Sequence, residues 1–298
     1  MTTHVVDPAR VPDAPLAPPG DNGGLHNVFR QRYLLKLLVR KELRARYQGS
    51  VLGLLWSYIQ PMVRFLAYFL VIGYIFKMTR GMENFAIHIF TGLVLVHYFT
   101  ETFSSGTRSI VKNKALVNKM SLPREMFPVA AMLVSAYHTV PQLVILISGS
   151  LILGWSPEPL DFAAGLLGFS IIAVFGMALA LLFSAANVFY KDFQNIVQTF
   201  TIFVMWSVPM IYPYDRIAEL FEGSWAEQLY LANPIANGVI LFQQLFWVPT
   251  VGPDAEFPVV MPDHLFTRGL IVLAASMVLL ALAQWIFTRL EGKMAERL

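Results

Sequence analysis

An all-α polytopic membrane protein is the fold class this sequence predicts, and three observations predict it. Of 298 residues, 56% are hydrophobic and only 14% charged. Soluble domains carry about 25% charged residues, so this chain has too few to cover a water-exposed surface of its size. Apolar runs near the ~20 residues needed to cross a bilayer recur along it. The cations are also bunched between those runs. "RKELRARYQGSVLGLLWSYIQPM" (40–62) places Arg40, Lys41, Arg44 and Arg46 within seven positions, and an almost uncharged run begins at Val51.

The elements follow in order. Residues 1–25, with five prolines and three glycines, hold too little apolar surface to offset ordering entropy and read as a disordered cytoplasmic tail. No apolar core follows a basic start there, so they do not read as a signal peptide. Residues 26–50 read as an N-terminal amphipathic interface helix, although Leu34, Leu35 and Leu38 make no clean stripe. A transmembrane domain then occupies 51–298. Its six spans are expected near 51–76, 85–106, 127–153, 162–188, 194–212 and 268–289. The fifth is short and carries Pro209 near its far end. The stretch 216–248 is interrupted by Asn233-Pro234 and Asn237-Gly238, and reads as a re-entrant helical hairpin on the outer side. That hairpin is either an external gate or a buried packing element, since irregular backbone at such depth must be buried in protein or line a cavity.

Loop charge orients the spans. Residues 30–46 and 107–126 are strongly basic, whereas 213–266 hold seven acidic residues against Arg216 alone. The tail 289–298 carries Arg289, Lys293 and Arg297. Both termini are therefore expected in the cytoplasm, which demands an even number of crossings.

Several chemistries are excluded. There is no cysteine, hence no disulfide, thiolate metal site or Cys nucleophile. The six histidines show no metal-ligand spacing, and HExxH, GxSxG and GxxxxGK[ST] are all missing. No catalytic residue, metal or nucleotide site is expected in this chain. The formal charge of +3 is mild, and no nucleic-acid partner is expected.

Five segments in order resemble the permease subunits of type 2 ABC transporters, and more closely the Wzm-type polysaccharide exporters of O-antigen or galactan lipids. They are the 40–62 segment, "NKALVNKMSLPREMFP" (113–128), "YKDFQNIVQTFTIFVMWSVPMIYP" (190–213), "LANPIANGVILFQQLF" (231–246) and "RLEGKMAERL" (289–298). The family more often has Arg where this chain has Lys191. The resemblance implies an inner-membrane homodimer joined to two copies of a Wzt-like ATPase, which would hold the ATP and Mg. It also implies a polyprenyl-pyrophosphate-linked polysaccharide as cargo, moved outward.

Candidate sites follow, each with its plainer alternative. The loop 109–125 resembles a coupling helix: Lys112, Lys114 and Lys119 would meet an acidic rim, and Leu116, Val117 and Met120 would fill a groove of the ATPase. The alternative is an inside loop obeying the charge rule. Arg44 and Arg46 would bind a pyrophosphate bidentately, or simply bind the anionic leaflet. Tyr58, Phe65, Phe69 and Phe76 recur at spacings of 7, 4 and 7 and fall within about 40° on a helix. Phe189, Phe193 and Phe200 read as a similar line in span five. Both lines are either sugar-sliding walls of the substrate path or ordinary packing. Arg64 and Glu101 are charges within spans. They are expected to form a salt bridge, or Arg64 lines a wet channel as part of the path, or it snorkels inward. Pro209, Asn233 and Pro234 are the expected gate positions. Asp192 is expected to cap the fifth span, or to transmit ATPase motion. Two other functions remain open: a type 2 ABC exporter of a drug or small lipid, and a membrane-embedded glycan- or lipid-processing enzyme. The latter needs carboxylates or histidines clustered at one bilayer face, and none is expected to converge.

Overall fold

The computed structural model describes residues 24–297 except positions 121, 222, 253, 254 and 258. The expected tail at 1–25 lies outside them but for its last two positions. Among the described residues the chain is helical, with no strand.

The interface region comprises α1 (Gly24–Arg30) and α2 (Arg32–Tyr47). α2 packs on the start of α6 (Met126–Ile152), with Leu35 and Leu38 buried while Tyr33 and Leu37 face outward. Positions 33 and 37 lie opposite 35 on a helix of 3.6 residues per turn. α2 is thus apolar on two sides, one for the protein and one away from it, which is why its sequence shows no single stripe.

The first apolar run becomes α3 (Trp56–Tyr68), which continues as a π-helical stretch Phe69–Ile75. No residue of α3 is buried by the rest of the chain. After a turn, with Lys77 and Asn84 in the left-handed region (φ 58° and 50°), comes α4 (Phe85–Lys112), 28 residues long. α4 is the central helix and packs on α6, α7 (Pro159–Phe189), α8 (Phe193–Trp206) and α11 (Pro234–Phe246). Beyond α4 the chain forms the short α5 (Lys114–Lys119) before turning into α6. α9 (Tyr214–Phe221) and α10 (Trp225–Leu231) precede α11, and α12 (Leu265–Arg297) closes the chain along α7.

The boundaries have local causes. Glu158 and Asp161 form a capping box at the start of α7: the Glu158 N–H donates to Asp161 Oδ2 at 2.9 Å, and Pro159 occupies the first turn. Asn233 caps α11 by accepting from the Ile235 N–H at 3.0 Å, and Pro234 opens that helix. α8 ends at Trp206, six residues short of the expected 212. Its carbonyl-to-amide ladder gives way at Ser207, and Pro209 has no N–H with which to resume it. Asp192 stands at the N-cap position of α8, but its side chain makes no capping bond.

Among the described residues, four helices are long and apolar enough to cross a membrane: Trp56–Ile75, Met126–Ile152, Pro159–Phe189 and Leu265–Met294. α4 has the length, but it carries Glu101, Arg108 and Lys112 and is buried against protein over most of its surface. α8 has 14 residues, roughly 21 Å at 1.5 Å each. Helices in lipid gain little from apolar burial alone, so they associate through close packing. A Cβ on Gly168 would stand 2.6 Å from the Gly238 carbonyl oxygen. The hydrogens of these two glycines are what let α7 and α11 touch.

The two ends of the bundle differ in chemistry. At one lie α1, α2, α5, the start of α6 and the last turns of α12. They are joined by Arg124, which donates to the Glu291 main-chain oxygen, and by Gln284 donating to Glu125 at 2.9 Å. At the other, Trp247 Nε1 donates to the Glu83 carbonyl at 2.9 Å and Trp155 Nε1 to the Leu245 carbonyl at 2.7 Å. The basic loops therefore share one end, and the acidic segment beginning at α9 reaches the other.

Candidate functional site

α2 ends at Tyr47, and the chain reverses into α3 through Gly49 and Gly53, both left-handed (φ 79° and 47°). That turn leaves Arg46, in the last turn of α2, over the middle of α4 and α6. Its Nη1 donates to Glu101 Oε1 and lies 2.9 Å from His138 Nδ1, while His138 Nδ1 is 2.8 Å from the same carboxylate oxygen. The Glu101 side chain is 8% exposed and that of Arg46 45%, so the pair reaches from protein interior to an open cavity. One turn along each helix stand His97 and Gln142, with Gln142 Nε2 3.0 Å from His97 Nδ1. α4 and α6 thus face each other with polar residues at i and i+4, the spacing that places side chains on one helix face.

A cavity of about 240 Å³ opens beside this cluster, lined by Arg46, Trp56, Gln60, His97, His138 and Gln142 among others. The Glu101 carboxylate stands behind the lining and holds Arg46 and His138, which face the space. A second, larger groove of about 630 Å³ runs between α2, α4 and α6. Its lining mixes apolar Phe127, Ala130 and Val134 with Glu42, Arg46, Arg108, Lys112 and Asn113. Arg46 lines both.

The Arg64–Glu101 salt bridge is not what forms. Arg46 and His138 hold the Glu101 carboxylate, and Arg64 lies instead beside Phe90, His97 and Met205 at a crevice of about 20 Å³. Arg44 is exposed and does not join the cluster around Glu101. The two expected aromatic lines also divide. Phe65 and Phe69 stack at 5.7 Å and pack on Phe90 and Phe85 of α4, while Tyr58 and Phe76 stay exposed. Phe193 meets Phe183 edge-on at 5.6 Å, and exposed Phe200 meets Phe103. Phe189 does not continue that line: it ends α7 and packs in the cluster at the basic end, because the turn at 190–192 separates the two helices.

At the basic end, α5 presents Lys114, Lys119 and Met120 outward, while Leu116 and Val117 are half-buried against the chain's own cluster. Those two are therefore not free anchors. Lys112 Nζ donates to Glu42 Oε2 at 2.5 Å, Asn113 Nδ2 to Glu42 Oε1 at 3.2 Å, and Lys41 Nζ to Asn113 Oδ1 at 2.5 Å. Burial raises the Glu42 carboxyl, but its hydrogen bonds and the charges of Lys112 and Lys41 outweigh this and hold it below the usual carboxylate range. At the opposite end, the Pro209 carbonyl accepts from Gln243 Nε2 at 2.7 Å. Among the described residues no cluster of His, Asp and Glu could hold a metal ion.

A family model described as ABC-2 type transporter matches residues 33–247, which hold α2 from its second residue, α3 through α11 and every part of this cluster. The chain belongs to the ABC-2 type transporter family. The O-antigen export system permease protein RfbA of Myxococcus xanthus is 29% identical over 276 residues, 91% of this chain and 98% of that protein. A protein of the same name from Klebsiella pneumoniae is 26% identical over 219 residues, 72% and 80% of the two chains. The capsule polysaccharide export inner-membrane protein CtrC of Neisseria meningitidis is 22% identical over 182 residues, 61% and 68%. These relatives are named as permeases and export proteins, in keeping with a transporter subunit rather than an enzyme. His97, His138 and Gln142 of this ABC-2 transporter chain escaped sequence reasoning. The available signal was the i, i+4 repetition of polar residues in two otherwise apolar helices, His97–Glu101 and His138–Gln142.

Proposed function

We propose that this chain is the transmembrane permease subunit of an ABC exporter for a polyprenyl-pyrophosphate-linked polysaccharide of the O-antigen or galactan type. The observation that carries this is the likeness over 91% of the chain to a protein named as an O-antigen export permease, joined to a sequence with no nucleotide-binding loop. Two copies work with two copies of a separate ATPase, which binds ATP and Mg. The dimer sits in the cytoplasmic membrane with both termini inside.

In this reading α3, α4, α6, α7, α8 and α12 are the six crossings, α2 lies at the inner interface, and α9 to α11 form the re-entrant outer segment with Pro209, Asn233 and Pro234 at the gate. ATP binding closes the partner subunits, and α5 passes the motion on through exposed Lys114, Lys119 and Met120. Arg46 receives the pyrophosphate at the inner end. Phe65, Phe69, Phe193 and Phe200, with Tyr58 and Phe76, give a sliding polymer weak and repeated contacts.

Complementation tests this. Expressed with its cognate ATPase in a bacterium lacking its own O-antigen permease, the chain is expected to restore glycan at the cell surface. Glycan that stays inside despite correct membrane insertion overturns the reading.

A further inference from the structure

α8 runs 14 residues from the basic end, roughly 21 Å against the ~30 Å of a hydrocarbon core. The break that follows it therefore falls at membrane depth, where irregular backbone must be buried in protein or line a cavity. Val208, Pro209, Met210 and Ile211 are all buried. Two contacts seat them. A Cβ on Gly92 of α4 would stand 2.5 Å from Met210 Cγ and 3.1 Å from its Cα, so the broken segment lies directly on α4. From α11, Gln243 Nε2 donates to the Pro209 carbonyl at 2.7 Å. The same nitrogen lies 3.5 Å from His88 Nε2, and the His88 ring meets Trp247 edge-on at 4.5 Å. A side-chain amide carries two N–H donors, one for the main chain at the break and one for His88. His88 and Gln243 are 0% and 1% exposed. Polar groups buried this deeply in apolar helices cost free energy that leucine would not, and packing alone does not call for them.

Resting on the export reading, with Pro209 at its gate, we propose that Gln243 and His88 are positioning residues that hold that gate shut. Gln243 binds the main chain at the break, His88 keeps the Gln243 amide aimed at it, and Gly92 gives the segment its seat on α4. The path opens when the Pro209 carbonyl leaves Gln243 and the segment lifts off α4. A buried carbonyl without a donor is costly. Water or a hydroxyl of the cargo supplies a donor and hydrocarbon does not, so the latch releases only into a hydrated path.

The chain has no cysteine, so a single thiol placed by Val208→Cys reports on the segment. The test is the rate at which that thiol reacts with a membrane-impermeant maleimide in the purified full chain, held in lipid nanodiscs without cargo. In the otherwise unchanged chain the reaction is expected to be slow. Gln243→Met, which keeps the side-chain length and cannot donate, is expected to speed it roughly tenfold. His88→Phe speeds it less, and His88→Gln, which restores an acceptor, returns it toward the slow rate. Gly92→Ala speeds it by displacing Met210. Gln244→Met, one residue along but bonded to Asp161, leaves it slow. A role in folding alone would lower the unfolding midpoint of Gln243→Met and leave the thiol of its folded fraction slow. That result overturns the proposal, as does equal speeding by Gln244→Met, or a thiol that is fully reactive at rest. His88→Gln reacting as fast as His88→Phe removes His88 from the latch. If the wild-type chain restores export in cells while Gln243→Met leaves the thiol slow, the latch fails and the export reading stands. If the thiol behaves as expected and cells export nothing, the export reading fails alone.

Discussion

Arg46 and Glu101 lie 55 residues apart in the chain and are joined by a hydrogen-bonded ion pair that ties the last turn of α2 to the middle of α4. His138 of α6 contacts both. Three helices thus meet at one carboxylate. Removing a partner of a charged hydrogen bond costs about 1.5–3 kcal/mol, and the solvent at Arg46 lowers that to about 1–2 kcal/mol. Arg46→Gln and Glu101→Gln are each expected to lower the unfolding midpoint of the purified chain, and the double variant by less than the sum. Arg64→Gln is expected to leave it unchanged. A stability loss in Arg64→Gln that is not additive with Glu101→Gln would restore the pairing that the structure replaces.

Glu42 predicts a pH dependence for the contact between α2 and α4. Its folded pKa is lowered, after burial is outweighed by Lys112, Asn113 and Lys41. A group depressed in the folded state contributes stability that is fully present above its unfolded value, about 4.3, and is lost as pH falls through the folded value. Hydrogen exchange in α2 of the wild-type chain is expected to quicken as pH drops below that window, after correction for intrinsic exchange. In Glu42→Gln the additional quickening is missing. The same pH response in both proteins would remove Glu42 from the account.

Helix contact sets a third expectation. A Cβ on Gly168 meets the Gly238 carbonyl oxygen at 2.6 Å, whereas one on Gly176 finds its nearest neighbours, Phe99 and Thr102, at 3.5 Å. Overpacking typically costs about 1–3 kcal/mol. Gly168→Ala is therefore expected to lower thermal stability by about that much, and Gly176→Ala to leave it within about 0.5 kcal/mol. Equal effects at the two positions would show that α7 and α11 do not approach as closely as described.

The same local logic separates what was legible in the sequence from what was not. Apolar length and cap chemistry act within a few residues, so α7 at 159–189 and α6 at 126–152 fall within three residues of their expected ends. Asn233-Pro234 marks a helix start by the same rule. The errors lie where neighbours are distant in sequence. Arg64 and Arg46 are both cations near the first span, and composition does not say which of them α4 and α6 approach. Phe189 and Phe193 share a helical spacing, but the turn at 190–192 assigns them to different helices. Leu116 and Val117 looked like free anchors because the cluster they pack against draws on α1, α2, α7 and α12, far away in the chain, as well as on nearby α4 and α6.

That burial yields a prediction about docking. Met120 is 46% exposed at the end of α5, beside exposed Lys119, while Leu116 packs inward. Met120→Glu is expected to abolish co-purification with the ATPase subunit while leaving the permease folded. Leu116→Ser is expected to lower the permease's own unfolding midpoint. Should Met120→Glu retain the ATPase and Leu116→Ser lose it at unchanged stability, the assignment of faces on α5 is reversed.

Orientation is open to direct measurement because the chain has no cysteine to remove. Arg124 bonded to the Glu291 main chain and Gln284 bonded to Glu125 fasten the last turns of α12 to the loop that follows α5. Whatever side holds that loop therefore holds the C-terminal turns. Transfer of a cation across the hydrocarbon core costs several kcal/mol, so Lys112, Lys114, Lys119 and Lys293 move to one side together or not at all. Single cysteines at Lys114 and Lys293 are expected to react with a membrane-impermeant maleimide only after the membrane is opened. Those at Glu219 and Glu256 are expected to react in intact spheroplasts. Labelling of 114 and 293 from opposite sides would contradict the packing of α12 on the basic end. Labelling of both from outside would keep the packing but put α5 out of reach of an ATPase in the cytoplasm, and the proposed coupling would fall.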